Sequence, residues 1–406
     1  MKYRVTGIDK IEGNIHLPAS KSISNRALIL DALSYSPYGI DNLSRCDDTD
    51  VMVKAFESDS NVFDIKAAGT AMRFLTAFLS KILGEWVITG TERMKNRPIR
   101  ILVDALNSIG ARIEYMEKEG YPPLKIYGSA LQGGEIELDG GVSSQYISAL
   151  LMVAPTMEHG LVLRLKGNVI SKPYIALTLS LMKRFGVDAE WNENTITIAP
   201  QTYKPIPFKV ESDWSAASYW YQMVALAKEA NVFLVGLEAN SAQGDSKVAT
   251  LFEQLGVQTS YEEGGVVLTK TGTLCKRFEH DFVNEPDLAQ TFVVTCCMLN
   301  VPFRFTGLQS LKIKETDRIE ALKNELLKFG YKITDHEDSI LEWNGERVDV
   351  TAVPVVKTYE DHRMAMAFAP IALLGEAVLV DEPGVVSKSY PEYWDHLKQV
   401  GFNVEE

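Results

Sequence analysis

The chain has 406 residues, 46% hydrophobic and 23% charged, which excludes a disordered or fibrous protein and fits a globular one of two domains. A formal charge of −13 at pH 7 argues against a DNA or RNA reader, but not against a small anionic substrate held in a locally basic cleft. The four cysteines, Cys46, Cys275, Cys296 and Cys297, include no C-x-x-C pair, so neither a zinc site nor a disulfide framework is expected.

The first residues, MKYRVTGIDK, lack an apolar core of signal-peptide length. After them, IEGNIHLP reads as a strand stopped by Pro18. Ser20, Ser22 and Ser24 follow, interleaved with Lys21 and Arg26, and an apolar run with helical spacing begins. Serine at a helix start caps free N–H groups, which with the helix dipole and two cations make a compact anion receptor. An ordinary capped helix with solvated cations explains the stretch equally well.

That plan repeats. Six segments pair a polar or small-residue start with an apolar helix, beginning at Ser20, Gly69, Ser143, Asp213, Pro286 and Asp361. A second, more amphipathic helix follows each. Five of these are expected to end at a glycine: Gly110, Gly186, Gly256, Gly330 and Gly401. Alternating strand pairs follow four of those glycines, as in VDAEWNENTITIAP. The first unit is shorter and lacks the glycine. The Pro-containing stretch 201–212 divides the six units three and three. The expected fold is therefore α/β, two similar domains with mixed sheets outside and apolar helices within, residues 21–212 forming one and 1–20 plus 213–406 the other. The polar helix starts are expected to meet in a cleft between them. Met364 to Gly375, the longest apolar run, is too short to span a bilayer and reads as a core helix. A soluble cytoplasmic protein follows from these readings.

Candidate chemistry gathers at the helix starts. The first three units offer Lys21, Ser22, Arg26, Gly69, Thr70, Arg73, Arg97, Ser143, Ser144, Gln145, Ser171 and Tyr174. The second three offer Asp287, Lys314, Glu315, Arg318, His362, Arg363 and Lys388. Arginines suit bidentate binding of carboxylate or phosphate, hydroxyls and an amide can orient a ring, and Asp287 or Glu315 could move protons. No Walker-type or G-x-G-x-x-G motif and no H-E-x-x-H spacing occurs.

KSISNRA, AGTAMR, RMKNRPI, GYPPL, SSQY, SKPYI, KETDR, DHRMAM and K-x-[YF]-P-x-Y, in that order from about Val5 to Val400, resemble the signature segments of the 5-enolpyruvylshikimate-3-phosphate synthase family. The resemblance implies two domains of three βαβαββ units each (an inverse α/β barrel) with the active site in the cleft between them. It implies transfer of the enolpyruvyl group of phosphoenolpyruvate to the 5-hydroxyl of shikimate 3-phosphate, releasing phosphate through a tetrahedral intermediate, with no covalent enzyme adduct. No metal or organic cofactor, nucleic acid or membrane partner is implied, and a monomer is expected.

On the family's pattern Ser22, Arg26, Ser143, Ser144, Gln145, Ser171, Tyr174 and Lys314 would hold shikimate 3-phosphate, with Asp287 as base for its 5-hydroxyl. Lys21, Gly69, Arg97, Gln145, Arg318, Arg363 and Lys388 would surround phosphoenolpyruvate, and Lys21 and Glu315 would serve protonation of the enol carbon. The chain departs from the pattern at Ala67 (commonly asparagine), Phe74 (commonly proline) and Ser310 (often asparagine), changes that bear on affinity and on sensitivity to glyphosate. Two rivals are weighed. One is a UDP-N-acetylglucosamine enolpyruvyl transferase, whose reactive cysteine lies on a mobile first-half loop, where Cys46 does not fall. The other is a non-catalytic anion-binding protein.

Overall fold

The computed structural model describes residues 1–350 and 354–406. The chain divides into a continuous unit, Ala19–Val210, and a discontinuous one, Met1–Pro18 with Glu211–Glu406. The crossings lie at 18/19 and 210/211, against 20/21 and 212/213 in the sequence reading. In the discontinuous unit the Asp213 N–H donates to the Pro18 carbonyl at 2.9 Å, pinning the two crossing segments together. In the continuous unit Asn42 donates to the Val210 carbonyl at 2.8 Å.

One repeat shows the plan. Strand Val62–Asp64 leads to helix Gly69–Lys81, strand Gly84–Thr89, helix Arg100–Ser108 and the hairpin of Arg112–Tyr115 with Leu124–Gly128. The first two strands pair in parallel, which requires a crossover helix between them; the remaining pairs are antiparallel, which a short turn can join. The same order of pairings recurs in the sheets that begin with Gly134–Asp139, Lys10–His16 and Phe278–Asp281. In the sixth repeat the hairpin partner is supplied from far away. Lys2–Thr6 lies between Val378–Asp381 and Asn403–Glu405. The first repeat is reduced to a two-stranded parallel pair, Ile40–Asp41 with Phe208–Lys209, in keeping with its shortness in the sequence.

Each unit has its own apolar core. The first helices of the repeats fill these cores. Gly69–Lys81 and Trp214–Leu226 each bury 12 of 13 residues, and Ala289–Met298 buries all 10, so these helices have no solvated face to carry polar groups. Their mid-helix polar side chains, Thr76, Ser218, Gln222 and Thr295, are buried and donate to backbone carbonyls instead of water. The sheets alternate instead: Arg112–Tyr115 and Gly134–Asp139 each turn one face inward and one to water.

Three expectations about local structure are corrected. The helix expected to run to Gly256 is only Val248–Phe252, preceded by a 3₁₀ turn. Gly256, with φ +80°, instead serves a register shift between Leu255 and Val257 in strand Leu255–Glu262, so the glycine marks a bulge. The apolar run after Asp361 is not one helix. It is α-helical over His362–Phe368 and 3₁₀ over Ala369–Leu374, because Pro370 has no N–H to continue the ladder. The helix expected from Pro286 starts at Ala289, after a turn closed by Leu288 N–H on the Glu285 carbonyl.

Candidate active site

In the continuous unit, Ser20 caps helix Lys21–Leu33 by accepting the Ile23 N–H. Lys21 pairs with Asp48 at 3.3 Å. Arg26 lies just over one turn further on and is 2% exposed, so every contact it makes is with protein. Its Nε donates to Thr178 Oγ1 at 2.7 Å, Nη1 to the Ser22 carbonyl at 2.9 Å and Nη2 to Ser148 Oγ at 3.1 Å. Among the described residues no carboxylate pairs with it. Burial draws its guanidinium down to about 10, with Tyr174 opposing, which leaves it charged at neutral pH. The Phe74 ring lies 5.3 Å beneath the guanidinium, so the aromatic side chain at this position supports the cation through its π face.

A second cationic cluster stands at the start of helix Gly69–Lys81, whose N-cap, Ala68, offers no side chain to the free N–H groups. Arg73 Nη1 donates to the Gly69 carbonyl at 2.8 Å and to Gln145 Oε1 at 2.9 Å, while Gln145 Nε2 donates to Thr70 Oγ1 at 3.0 Å. A Cβ at Gly69 would lie 2.5 Å from Arg97 Nη1 and 2.8 Å from Arg73 Nη1. The glycine therefore lets two guanidinium groups close over a helix N-terminus, the arrangement that suits a carboxylate or phosphate. Thr70 and Arg73 stand among the candidates at the helix starts, but the family pattern assigned neither to a substrate. The available signal was helical spacing, which puts Arg73 one turn from Gly69 on the same face.

Ser143 caps helix Ser144–Val153 and accepts the Gln145 N–H at 3.3 Å. Ser144 is buried. Ser171, buried and left-handed at φ 54°, precedes helix Lys172–Arg184; its backbone carbonyl, not its hydroxyl, accepts the Tyr174 N–H at 3.1 Å. Cys46, the cysteine on which one rival reading would depend, is fully buried at the start of helix Asp47–Glu57, and burial pushes its thiol up, away from the reactive thiolate.

In the discontinuous unit, Asp287, Lys314, Glu315, Arg318, Arg363 and Lys388 form one connected network. Arg318, 1% exposed, opens helix Arg318–Lys328. It reaches Asp361 through Nε at 2.7 Å, Glu315 through Nη2 at 2.8 Å and Asp287 through Nη1 at 3.2 Å. Arg363 Nη2 meets the other oxygen of Asp287 at 3.0 Å and Nη1 donates to the Tyr219 hydroxyl at 3.2 Å. Lys314 lies 3.6 Å from Asp287, and Lys388 lies 3.3 Å from Glu315. Burial works against the Asp287 charge, but Arg363, Lys314 and Arg318 outweigh it and hold the carboxyl well below the usual range. Burial likewise opposes the charge on Arg318, and Asp361, Glu315 and Asp287 together raise its guanidinium. Lys388 lies at the last position of a 3₁₀ turn, Pro383–Lys388, and not at a helix start.

Two carboxylates near this network were given no role from the sequence: Asp361, although it opens the DHRMAM segment, and Asp245, which lies in no motif. Asp361 caps helix His362–Phe368 by accepting the Arg363 N–H and also grips Arg318. Asp245 is 4% exposed, takes the Ser215 hydroxyl on Oδ2 and has no partner on Oδ1. Burial and the nearby Asp287 charge push its carboxyl up to about 7, against the pull of Ser215 and Arg363.

The family model for EPSP synthase (3-phosphoshikimate 1-carboxyvinyltransferase) matches residues 5–58 and 53–397. The chain belongs to the EPSP synthase family. A 3-phosphoshikimate 1-carboxyvinyltransferase of Bacteroides fragilis (strain YCH46) is 60% identical over 406 residues, covering 100% of this chain and 99% of the relative. One from Vibrio atlanticus (strain LGP32) is 37% identical over 422 residues, covering 97% of this chain and 98% of its own. In fold, the chain is similar to an EPSP synthase from Acinetobacter baumannii solved at 2.37 Å, with a TM-score of 0.81, 20% identity and 100% of both chains covered. The EPSP synthase family thus accounts for the sixfold repeat as well as the nine segments. No helix among the described residues is long and apolar enough to cross a membrane.

Proposed function

We propose that the chain transfers the enolpyruvyl group of phosphoenolpyruvate to the 5-hydroxyl of shikimate 3-phosphate, with the two units supplying different parts of the work. The observation that carries the reading is the Asp287 carboxylate held ionised among Arg318, Arg363 and Lys314, with Glu315 linking Arg318 to Lys388. A base and an acid tied to four cations suit a substrate that brings a carboxylate and a phosphate of its own.

Shikimate 3-phosphate is taken by Ser22, Arg26, Ser143, Ser144, Gln145, Ser171, Tyr174 and Lys314. The buried and uncompensated Arg26 supports this, because an arriving dianion relieves a desolvated charge. Phosphoenolpyruvate is taken by Lys21, Gly69, Arg97, Gln145, Arg318, Arg363 and Lys388, with Arg73 joining Arg97 above the helix start. As the substrate anions draw Arg318, Arg363 and Lys314 toward themselves, Asp287 loses part of what holds its proton affinity down and becomes a better base.

Asp287 then accepts the proton of the 5-hydroxyl while its oxygen bonds to the enol carbon bearing the phosphate. Lys21 or Glu315 delivers a proton to the terminal methylene, giving a tetrahedral adduct with a methyl group. Loss of a methyl proton to the same pair reforms the double bond, and phosphate leaves with the electron pair of its carbon–oxygen bond. The fixed cations hold both anionic groups through these steps, so little of the barrier comes from reorienting solvent. The enzyme works in the cytoplasm as a monomer. Phosphate release measured with phosphoenolpyruvate and shikimate 3-phosphate tests the reading. Turnover with UDP-N-acetylglucosamine in place of shikimate 3-phosphate would overturn it.

A further inference from the structure

Helix Arg318–Lys328 carries two carboxylate-linked contacts on one face, seven residues apart and so two turns. At its start, Arg318 grips Asp361. Two turns on, Glu325 is fully buried, and both of its oxygens are occupied. Oε1 accepts the Tyr359 hydroxyl at 2.7 Å and Oε2 accepts the Lys357 N–H at 3.0 Å. Lys328 bonds both oxygens, at 2.8 and 2.6 Å, and donates also to the Val355 carbonyl at 2.9 Å.

The segment held this way is unusual in its backbone. Tyr359 and Glu360 are consecutive non-glycine residues in the left-handed region, at φ 54° and 56°. Such a pair is disfavoured for residues with a Cβ and persists only where neighbours over-determine it. Directly after it come Asp361, which accepts the Arg363 N–H at 2.9 Å, and Arg363, which meets Asp287 at 3.0 Å. The turn therefore sets the angle at which residues 361–363 enter the network, and Glu325 ties it to the helix that also carries Arg318.

We propose that Glu325 is a positioning residue: through Tyr359 and Lys357 it holds the left-handed turn that aims Asp361 and Arg363, and so sets the affinity for phosphoenolpyruvate without touching it. The inference rests on the assignment of Arg363 to that substrate.

Three variants test it by steady-state kinetics and thermal melting: Tyr359→Phe, which removes one hydrogen bond and keeps the ring; Glu325→Gln; and Arg363→Lys as the benchmark. Tyr359→Phe should melt close to wild type and raise KM for phosphoenolpyruvate about fivefold, a fraction of what losing a charged hydrogen bond directly would do. Its kcat and its KM for shikimate 3-phosphate should stay within about twofold, and its effect should shrink in an Arg363→Lys background, since both act through one guanidinium. Glu325→Gln should shift the same constant further. A rise for Arg363→Lys with none for Tyr359→Phe would overturn the brace alone. Equal shifts in all the constants would reduce Glu325 to a structural role and overturn it too. No rise for Arg363→Lys would overturn the substrate assignment and the proposal with it. If Glu325→Gln fails to fold, Tyr359→Phe decides the question by itself.

Discussion

Positive charge is kept in two different ways in the two units. Arg26, in the continuous unit, is buried among the hydroxyls of Thr178 and Ser148 and a backbone carbonyl, with an aromatic ring beneath it. Arg318, in the discontinuous unit, is equally buried but surrounded by Asp361, Glu315 and Asp287. The first has its polar atoms satisfied and its charge unanswered. The second has its charge answered several times over. A cation of the first kind gains from any anion that reaches it, so it favours affinity. A cation of the second kind can meet an anion only by loosening a carboxylate, so binding there changes the proton affinity of what it leaves.

Asp287→Asn breaks the second arrangement most severely. It keeps the shape of the side chain and removes proton acceptance, so turnover should fall by roughly 10²–10⁴-fold while shikimate 3-phosphate, titrated by calorimetry, still binds. A variant that keeps a third of wild-type turnover would remove Asp287 from the role of base.

The contrast itself is tested by replacing each buried arginine with methionine. Arg318→Met strands Asp361 without its partner and should destabilise the fold by about 3–5 kcal/mol in denaturant titrations. Arg26→Met strands nothing charged, and Thr178 already donates to Ser148 at 2.8 Å. It should cost less than about 1.5 kcal/mol of stability but weaken shikimate 3-phosphate binding by about 1.5–3 kcal/mol. Equal losses of stability in the two variants would erase the distinction.

Gly69→Ala sharpens the comparison within the continuous unit. The new methyl group would fall 2.5 Å from Arg97 and 2.8 Å from Arg73, and both guanidinium groups, being the far ends of flexible side chains, must swing aside. Melting should change little, whereas KM for phosphoenolpyruvate should rise about tenfold, the scale of one charged hydrogen bond. An unchanged KM would mean that the pair does not hold this substrate.

The smallest effect is a pH dependence. Asp245 is raised from 3.8 to about 7, so between those values the folded state holds a proton that the unfolded state has released. Raising the pH through that window therefore favours unfolding, and the cost is complete above it. Asp287 is shifted the opposite way, so its contribution is lost only as pH falls below the ordinary carboxylate range and does not intrude. Asp245→Asn should gain melting temperature on wild type as pH rises from 5 to 8. A difference that stays constant across that range would mean Asp245 is not raised.

Much of this was legible in the sequence, and the part that was not has a common cause. Helix starts at Ser20, Ser143 and Asp213 carry their caps within three residues, and Gly110, Gly186, Gly330 and Gly401 all take positive φ as helix stops require. These are local signals. Gly256 misled because a left-handed glycine serves a bulge as readily as a helix end. Two partners of Arg26, Ser148 and Thr178, lie 122 and 152 residues away, and two of Glu325, Lys357 and Tyr359, lie 32 and 34 residues away, beyond any spacing rule. Asp245 is a single carboxylate outside every motif whose importance comes from burial, which composition does not reveal, and Asp361 stood in a motif but its grip on Arg318, 43 residues away, did not show in it. The motif residues were found because they cluster; the residues that hold them in place do not.

The placement of the first eighteen residues has a consequence for synthesis. Lys10–His16 pairs with Glu229–Val235, and Lys2–Thr6 pairs with Val378–Asp381 and Asn403–Glu405. Residues 19–210 contain all their own sheet partners and their own core, so they can fold on the ribosome as soon as they emerge. Strands Lys2–Thr6 and Lys10–His16 cannot; they are made before that unit and remain unpaired until their partners in the rest of the discontinuous unit follow. Throughout that interval they are exposed edges of the kind that recruit other chains. Their short length, the charges at Lys2, Arg4, Lys10 and Glu12 and the glycine at Gly13 are the features that keep a nascent chain soluble while it waits for its last strand.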